Sequence, residues 1–143
     1  MSEIGFCGDN CSLCPRYIAT KSEDEDKLRE VVALWIRAGW RDEVVGPEEV
    51  ECHGCVSVKW CRYDNIRNCA QDKGIKNCGE CPEYRCGEIL QVFRQTELYA
   101  KRCKEACSEE DYRILNEAFF LKRNKLDEIN RNKQRHLKVD KIG

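Results

Sequence analysis

The chain has 143 residues, a length that fits a single domain. Its net charge of −1 argues against nucleic acid as a partner, and no segment approaches the ~20 consecutive apolar residues that a membrane-spanning helix needs. Charged residues make up 36 % of the chain and the mean hydropathy is −0.70, so apolar material for a core is limited. The unusual feature of the composition is its 12 cysteines.

The first residues show neither the basic start nor the apolar run of a signal peptide, so we predict a cytoplasmic protein with no membrane partner. Thiols stay reduced in that compartment, and closely spaced pairs of them favour metal binding. A disulfide framework is the alternative. The cysteine content therefore predicts a metal-binding protein, and we expect its partner to be another protein, of unknown identity.

Three cysteines lie on one predicted bend within residues 1–21. Cys7, Cys11 and Cys14 are separated by the turn formers Gly8, Asp9 and Asn10. We interpret the three cysteines as ligands of one closed site that takes its fourth ligand from the central part of the chain. Radical enzymes with an iron–sulfur cluster share this spacing, but they resemble large barrels for which this chain is too short.

A helix is predicted near residues 22–38. Ser22 and Glu25 form a capping box at its start, and Gly39 is the expected C-cap. The apolar residues at helical spacing are Leu28, Val31, Val32, Trp35 and Ile36. We interpret Trp35 and Trp40 as core residues, with an aromatic partner site as the alternative.

Seven cysteines are concentrated between Cys52 and Cys86, together with His53. The stretch between Cys61 and Gly74 reads as a turn and a short helix that carries Cys69 and is capped by Asp64 or Asn65. Turn residues flank Cys78 and Cys81 on both sides, as in a metal knuckle, where backbone N–H groups stabilise thiolates. A redox dithiol is the rival interpretation of that pair, but no strand pattern precedes it.

Two helices are predicted in the last third of the chain. The first runs from Gly87 to about Cys107 and places Cys103 and Cys107 on one face, where they either chelate a metal or act as small buried hydrophobes. Ser108 caps the second helix, with Asp111 at the capping-box position. The apolar face of that helix is Tyr112, Leu115, Phe119, Leu126 and Ile129. Its basic end is interpreted as favourable charge at a helix C-terminus.

These elements predict a small α-rich domain in which three or four helices surround an irregular, cysteine-rich, metal-stapled loop region with little or no sheet. We expect a single domain over residues 1–143. Its metal-stapled, cysteine-rich region is residues 1–86, and residues 87–143 form C-terminal helices with a basic tail.

Ten cysteines are the candidate metal ligands. They are Cys7, Cys11, Cys14, Cys52, Cys55, Cys61, Cys69, Cys78, Cys81 and Cys86. Zinc sites of the structural type take about four ligands each, so ten thiolates fill two sites and leave two cysteines over. Adding His53 and Asp64 would complete a third site, although a helix cap is the alternative role for Asp64. The sequence thus predicts two or three zinc ions.

Three functions follow from this ligand set. We favour an accessory or interaction module with structural zinc and no reaction of its own, because the chain shows no acid–base machinery. The first alternative is an iron–sulfur protein that serves electron transfer or an enzyme partner. The second is a zinc enzyme with an open coordination position near His53 or Asp64, although the His-x-Glu signature of zinc deaminases is absent.

The cysteine pattern resembles a family of small prokaryotic proteins known as domain of unknown function 3795. The resemblance covers roughly residues 5–93. The matching motifs are Cys7-Gly8, Cys11-x-x-Cys14-Pro15 with Tyr17, Cys52-x-Gly54-Cys55, Cys61, Ile66-Arg67-Asn68-Cys69-Ala70, Lys73-Gly74 and Asn77-Cys78-x-x-Cys81-Pro82-x-Tyr84-x-Cys86. The family pattern has a cysteine where this chain has Asp64. The resemblance implies zinc binding in a bacterial or archaeal cytosolic protein, and it implies no established reaction.

Overall fold

The computed structural model describes residues 4–54 and 62–142, with side chains through residue 136. The α-helices of these residues are α1 (Pro15–Ser22), α2 (Glu25–Arg37), α3 (Asp64–Lys73), α4 (Gly87–Ala106), α5 (Glu109–Leu115) and α6 (Lys122–Ile142). Within the described ranges the only β pairing is an isolated bridge between Ile4 and Asn10. The predicted α-rich class is therefore confirmed, although the helices outnumber the three or four expected. Cys55 and Cys61 lie outside the described residues.

The helix predicted near residues 22–38 is present as α2, but it does not begin at Ser22, because two helices, α1 and α2, meet there. The first, α1, ends at Ser22, and the backbone of its C-cap residue Glu23 is left-handed with φ 58°. The second, α2, begins after Asp24, whose carboxylate accepts a hydrogen bond of 2.9 Å from the Asp26 N–H. The Ser22 hydroxyl, expected to cap α2, instead bonds back into the last turn of α1. Asp24 is an equally good N-cap residue, and the left-handed Glu23 separates the two helices.

The end of α2 is a Schellman motif that fixes both tryptophans. Gly39, the residue after the C-cap Ala38, has φ 78° and donates to the Ile36 carbonyl, while the Trp40 N–H donates to the Trp35 carbonyl at 2.8 Å. The two indole rings meet at a centroid distance of 4.9 Å. Trp35 is only 7 % exposed, which confirms that it is a core residue.

Buried side chains form two hydrophobic clusters. The Trp35 core consists of Ala19, Leu28, Val31, Val32, Leu34, Trp35, Val50, Cys103 and Leu115. The Phe93 core consists of Cys7, Tyr63, Ile66, Ile89, Val92, Phe93 and Leu126, with Cys78, Tyr84 and Cys86 packed against it. The candidate metal ligands around Cys78 therefore rest on the Phe93 core.

The last long helix is interrupted, which the sequence analysis did not predict. Ser108 caps α5 as expected, since its hydroxyl accepts from the Asp111 N–H at 3.1 Å. A π-helical turn, Asn116–Phe120, then separates α5 from α6. The Ala118 carbonyl in this turn accepts a 2.8 Å hydrogen bond from the Asn10 N–H of the amino-terminal bend. The π turn is thus a point at which the carboxyl-terminal helices contact the amino-terminal bend.

Asp111 joins α5 to α2. Besides its position in the predicted capping box, Asp111 has a second role. Its carboxylate accepts hydrogen bonds from the Arg37 guanidinium, with Nε at 2.8 Å and Nη2 at 3.2 Å. These hydrogen bonds lower the pKa of Asp111 below its usual value. A carboxylate whose pKa is lower in the folded than in the unfolded state stabilises the fold above its unfolded pKa, and that stabilisation is lost as the pH falls through the folded pKa.

We therefore expect Asp111→Asn to lower the free energy of unfolding by about 1 kcal/mol at pH 7, and by less at pH 3, where more of the carboxylate is protonated. Urea denaturation at both pH values measures the difference. Glu25→Gln is the control, because Glu25 pairs with Arg29 at 3.3 Å on an exposed helix face and should change little. An equal loss for Asp111→Asn at both pH values would contradict the role of the ion pair.

Candidate metal centres

Four of the predicted ligands meet at one cavity, and we call them the knuckle cluster: Cys69, Cys78, Cys81 and Cys86. Cys69 lies on α3, Cys78 and Cys81 bracket a short 3₁₀ turn, and Cys86 is the N-cap residue of α4. All four line a cavity of about 20 Å³. Cys69 and Cys86, which are 17 positions apart in sequence, thus line the same cavity.

Local hydrogen bonds build the turn between Cys78 and Cys81. The Asn77 side chain accepts from the Gly79 N–H at 2.9 Å, and the Cys81 N–H donates to the Cys78 carbonyl at 3.1 Å. A second turn follows, in which the Tyr84 N–H donates to the Cys81 carbonyl at 3.1 Å. The turn predicted for this pair from its flanking residues is confirmed.

Helix α6 holds this turn from outside the cysteine-rich region. Asn130 Nδ2 donates to the Gly79 carbonyl at 3.1 Å, and Lys133 Nζ donates to the Glu80 carbonyl. Gly79 lies so close to α6 that a Cβ atom there would stand 2.9 Å from the Leu126 carbonyl oxygen. Lys133, interpreted from sequence only as part of a basic helix end, therefore takes part in positioning the knuckle cluster.

Asp127 adds a second attachment between α6 and the cysteine-rich region. Its carboxylate accepts hydrogen bonds from the Tyr84 hydroxyl at 2.5 Å and from Arg85 Nη2 at 2.8 Å. Burial alone would raise the pKa of Asp127, but the hydrogen bonds from Arg85 and Tyr84 outweigh it and the pKa is lowered. The carboxylate is thus ionised at neutral pH and holds the segment between Cys81 and Cys86.

The thiols of the knuckle cluster oppose one another's ionisation. Burial raises the pKa of Cys78 to about 12, and the charges of Cys86, Cys81 and Cys69 add to the rise. The nearest cation is Lys73, whose Nζ lies 3.4 Å from the Cys81 sulfur and 2.6 Å from a Glu83 carboxylate oxygen. A bound cation in the cavity would reverse this electrostatic penalty.

The amino-terminal cluster consists of Cys7, Cys11, Cys14 and Cys52. Its last member is brought to the bend by α1, because Arg16 Nε donates to the Val50 carbonyl and the Cys52 N–H donates to the Thr20 hydroxyl, both at 2.9 Å. Burial raises the pKa of Cys14 to about 12, and the charges of Asp9 and Cys52 contribute. Cys52, from the central part of the chain, thus lies beside the bend.

All four cysteines of the amino-terminal cluster line a second, larger cavity of about 680 Å³. His53 also borders it, with aromatic side chains that include Trp40 and Phe119. Lys122 lines the same cavity and is buried, with its Nζ paired to Asp9 and bonded to the Phe119 carbonyl at 2.6 Å. Lys122 was not predicted from the sequence, although it falls at helical spacing between Phe119 and Leu126 on the apolar face.

The candidate ligand side chains lie near one another, but they are not already arranged around the position of a metal ion. In residues 4–54 and 62–136, no group of three or more His, Cys, Asp and Glu side chains is arranged to hold a metal ion. Cys14, Cys52 and the four cysteines of the knuckle cluster carry free thiols. Asp64 is exposed and is the first residue of α3, after the N-cap Tyr63, so the predicted cap is wrong.

Comparison with known proteins places the chain in a family. The model of the family described as protein of unknown function, DUF3795, matches residues 3–91. Searches of the curated proteins and of the solved structures find no match. No helix in the part of the chain that the structure describes is long and apolar enough to cross a membrane. Since the matched segment is more than half of the chain and contains both cysteine clusters, the protein belongs to the DUF3795 family.

Proposed function

We propose that the knuckle cluster and the amino-terminal cluster each bind one zinc ion, and that the protein is a metal-stapled accessory or interaction module. The observation that carries the proposal is the position of Cys69, Cys78, Cys81 and Cys86 around one cavity of about 20 Å³. Structural zinc takes four thiolates in a tetrahedron with Zn–S distances of about 2.3 Å. Binding would require the four side chains to rotate toward a common point, because the described residues hold no group already arranged for a metal ion.

The size of that cavity favours a single ion over an iron–sulfur cluster. A volume of about 20 Å³ is close to the ~10–15 Å³ that a cavity needs to hold one water molecule. Zinc would supply the positive charge that the crowded thiols lack, and binding would release their protons. Lys73 would reduce the excess negative charge of four thiolates through its contact with Cys81.

A zinc enzyme is the second candidate, and the amino-terminal cluster favours it. The cavity of about 680 Å³ would give a ligand access to an ion held by Cys7, Cys11, Cys14 and Cys52. An open coordination position would arise if only three of these thiolates bound the ion, with His53 at the rim of the cavity. A structural role requires the opposite, namely four protein ligands and no exchangeable water at either ion.

Elemental analysis of protein purified without air tests the proposal. We expect two zinc ions per chain, and we expect Cys78→Ser and Cys52→Ser to lose one ion each, because a hydroxyl is a poor ligand in a thiolate site. Cys103→Ser is the matched control and should keep both ions, since Cys103 belongs to the Trp35 core and to neither cluster.

Iron and sulfide with broad visible absorption would instead support the iron–sulfur alternative. Retention of both zinc ions by Cys78→Ser would contradict the assignment of the knuckle cluster.

A second experiment separates the structural role from the enzymatic role. Cobalt replaces zinc, and its visible spectrum is followed during addition of cyanide. A spectrum that cyanide does not change indicates closed sites and a structural role. A cyanide-induced shift that is absent in Cys52→Ser indicates an open coordination position in the amino-terminal cluster.

A further inference from the structure

A third pair of cysteines lies away from both clusters, and nothing in the proposed function uses it. Cys103 and Cys107 occupy the last turn of α4, and their sulfur atoms are 3.1 Å apart. We propose that Cys103 and Cys107 are a redox-active dithiol that closes to an intramolecular disulfide when the protein meets a peroxide. The proposal does not depend on whether the other cysteines bind zinc.

The backbone at this helix end brings the two residues within reach of a disulfide. The Cys107 N–H donates to the Cys103 carbonyl at 2.8 Å, which holds the residues one helical turn apart. Four residues of α-helix rise about 6 Å, within the ~4.4–6.8 Å that separates Cα atoms across disulfides. Bond formation at about 2.05 Å then requires the sulfur atoms to approach by roughly 1 Å.

Cys107 can make that movement more easily than Cys103. It is the C-cap residue of α4, with φ −100° and ψ 161°, so its backbone has already left the helix. Cys103, in contrast, is 1 % exposed and is fixed within the Trp35 core. The adjustment therefore falls on the C-cap residue and leaves the packed core in place.

Cys103 and Cys107 differ in their access to solvent, and this difference decides which thiol reacts first. Cys107 is partly exposed, and besides Cys103 its sulfur meets the Arg37 carbonyl of a neighbouring helix at 3.9 Å. Burial of Cys103, followed by its hydrogen bond to Cys107, raises the pKa of the Cys103 thiol to about 12. Cys107 is thus the side chain that meets an oxidant, and Cys103 is the partner that resolves the product.

The reaction needs one peroxide molecule and balances without a further reactant. The Cys107 thiolate attacks one oxygen of hydrogen peroxide, the O–O bond breaks, and the departing hydroxide takes up the proton that the Cys107 thiol had released and leaves as water. Cys107 is then a sulfenic acid. The Cys103 sulfur attacks it, the S–S bond forms and the S–O bond breaks, and the Cys103 proton leaves with the hydroxyl as a second water. Two electrons pass from the two sulfurs to the peroxide.

The test treats the full-length protein with low doses of hydrogen peroxide, blocks the remaining thiols by alkylation and digests with trypsin. Lys104 lies between the two cysteines, so cleavage places them in separate peptides that only a disulfide can join. We expect this joined pair, two hydrogen atoms lighter than its separate peptides, to form at lower doses than any other linkage. Both thiols should become resistant to alkylation, and dithiothreitol should restore them.

Cys103→Ala and Cys107→Ser are the controls, and circular dichroism checks that each variant folds. Neither should give the joined peptides, and Cys107 in Cys103→Ala should go on to sulfinic acid for lack of a partner. The proposal is overturned if both thiols remain fully alkylated at doses that oxidise other cysteines, or if Cys107 joins a different cysteine. Because the peptides are identified individually, this result is independent of the metal content.

Discussion

Complete removal of metal under reducing conditions is expected to unfold the cysteine-rich half of the protein while α2 remains folded. The knuckle cluster rests on the Phe93 core, which Cys78 and Cys86 contact directly. The apolar face of α2 packs instead in the Trp35 core, with Cys103 and Leu115 from the carboxyl-terminal helices. Loss of the ions therefore removes support mainly from the Phe93 core.

The expected effect is large relative to the stability of the whole domain. An ion present at about 1,000 times its dissociation constant stabilises the folded state by about 4 kcal/mol at each site. Two such sites contribute a free energy comparable to the ~5–15 kcal/mol by which domains are stable in total. Without an ion, the four thiols would face one another across a small cavity with no charge to balance their ionisation.

Hydrogen exchange measured by mass spectrometry resolves the two halves, and circular dichroism reports the total helix content. After chelation, exchange should accelerate in α3 and in the Cys78–Cys81 turn, and α2 should stay protected. The same chelator already saturated with zinc is the control. An unchanged thermal melt and unchanged exchange, once elemental analysis shows that no metal remains, would refute the structural role of the ions.

Gly79→Ala is expected to lower the free energy of unfolding by about 1–3 kcal/mol, the usual cost of overpacking a closely fitted contact. A methyl group at Gly79 would stand 2.9 Å from the Leu126 carbonyl oxygen and 2.9 Å from Ile129 Cγ2. The carbonyl belongs to the backbone of α6 and cannot rotate away, so the turn must move. That movement strains the Asn130 hydrogen bond to the Gly79 carbonyl.

Gly87→Ala is the matched control, because a Cβ atom at Gly87 meets nothing within 4 Å and the residue begins α4. Alanine is the better helix former, so this variant should be neutral or slightly stabilised. Chemical denaturation of both variants with metal bound gives the comparison. Equal stability of Gly79→Ala and Gly87→Ala would show that α6 does not hold the turn closely. Zinc affinity should fall in Gly79→Ala alone.

The features that the sequence predicted correctly depend on a few neighbouring residues. Ser108 caps α5 through the Asp111 N–H, and Gly74 ends α3 with φ 67°, because each signal acts within four residues. The face of α2 followed from helical periodicity for the same reason. The pairing of Cys78 with Cys81 in one turn was likewise a local signal.

What the sequence did not predict depends on contacts between distant segments. In the π turn after Leu115, the Ala118 carbonyl bonds to Asn10, more than a hundred residues earlier. The assignment of Cys69 and Cys86 to the knuckle cluster depends on how α3 and α4 pack on the Phe93 core. Cysteine spacing cannot distinguish these partners from Cys55 or Cys61, so it left the grouping open.

The contact of α6 with Gly79 and Glu80 determines which fragment of the chain can fold on its own. The segment that the family model matches stops at residue 91, but the side chains that hold the turn, Asn130 and Lys133, come from well beyond it. An excised fragment ending at the matched boundary would leave Gly79 without its contact to α6 and would remove Phe93 and Leu126 from the Phe93 core. The unit to express, or to transplant into another protein, is therefore the matched segment together with its distant supporting helix.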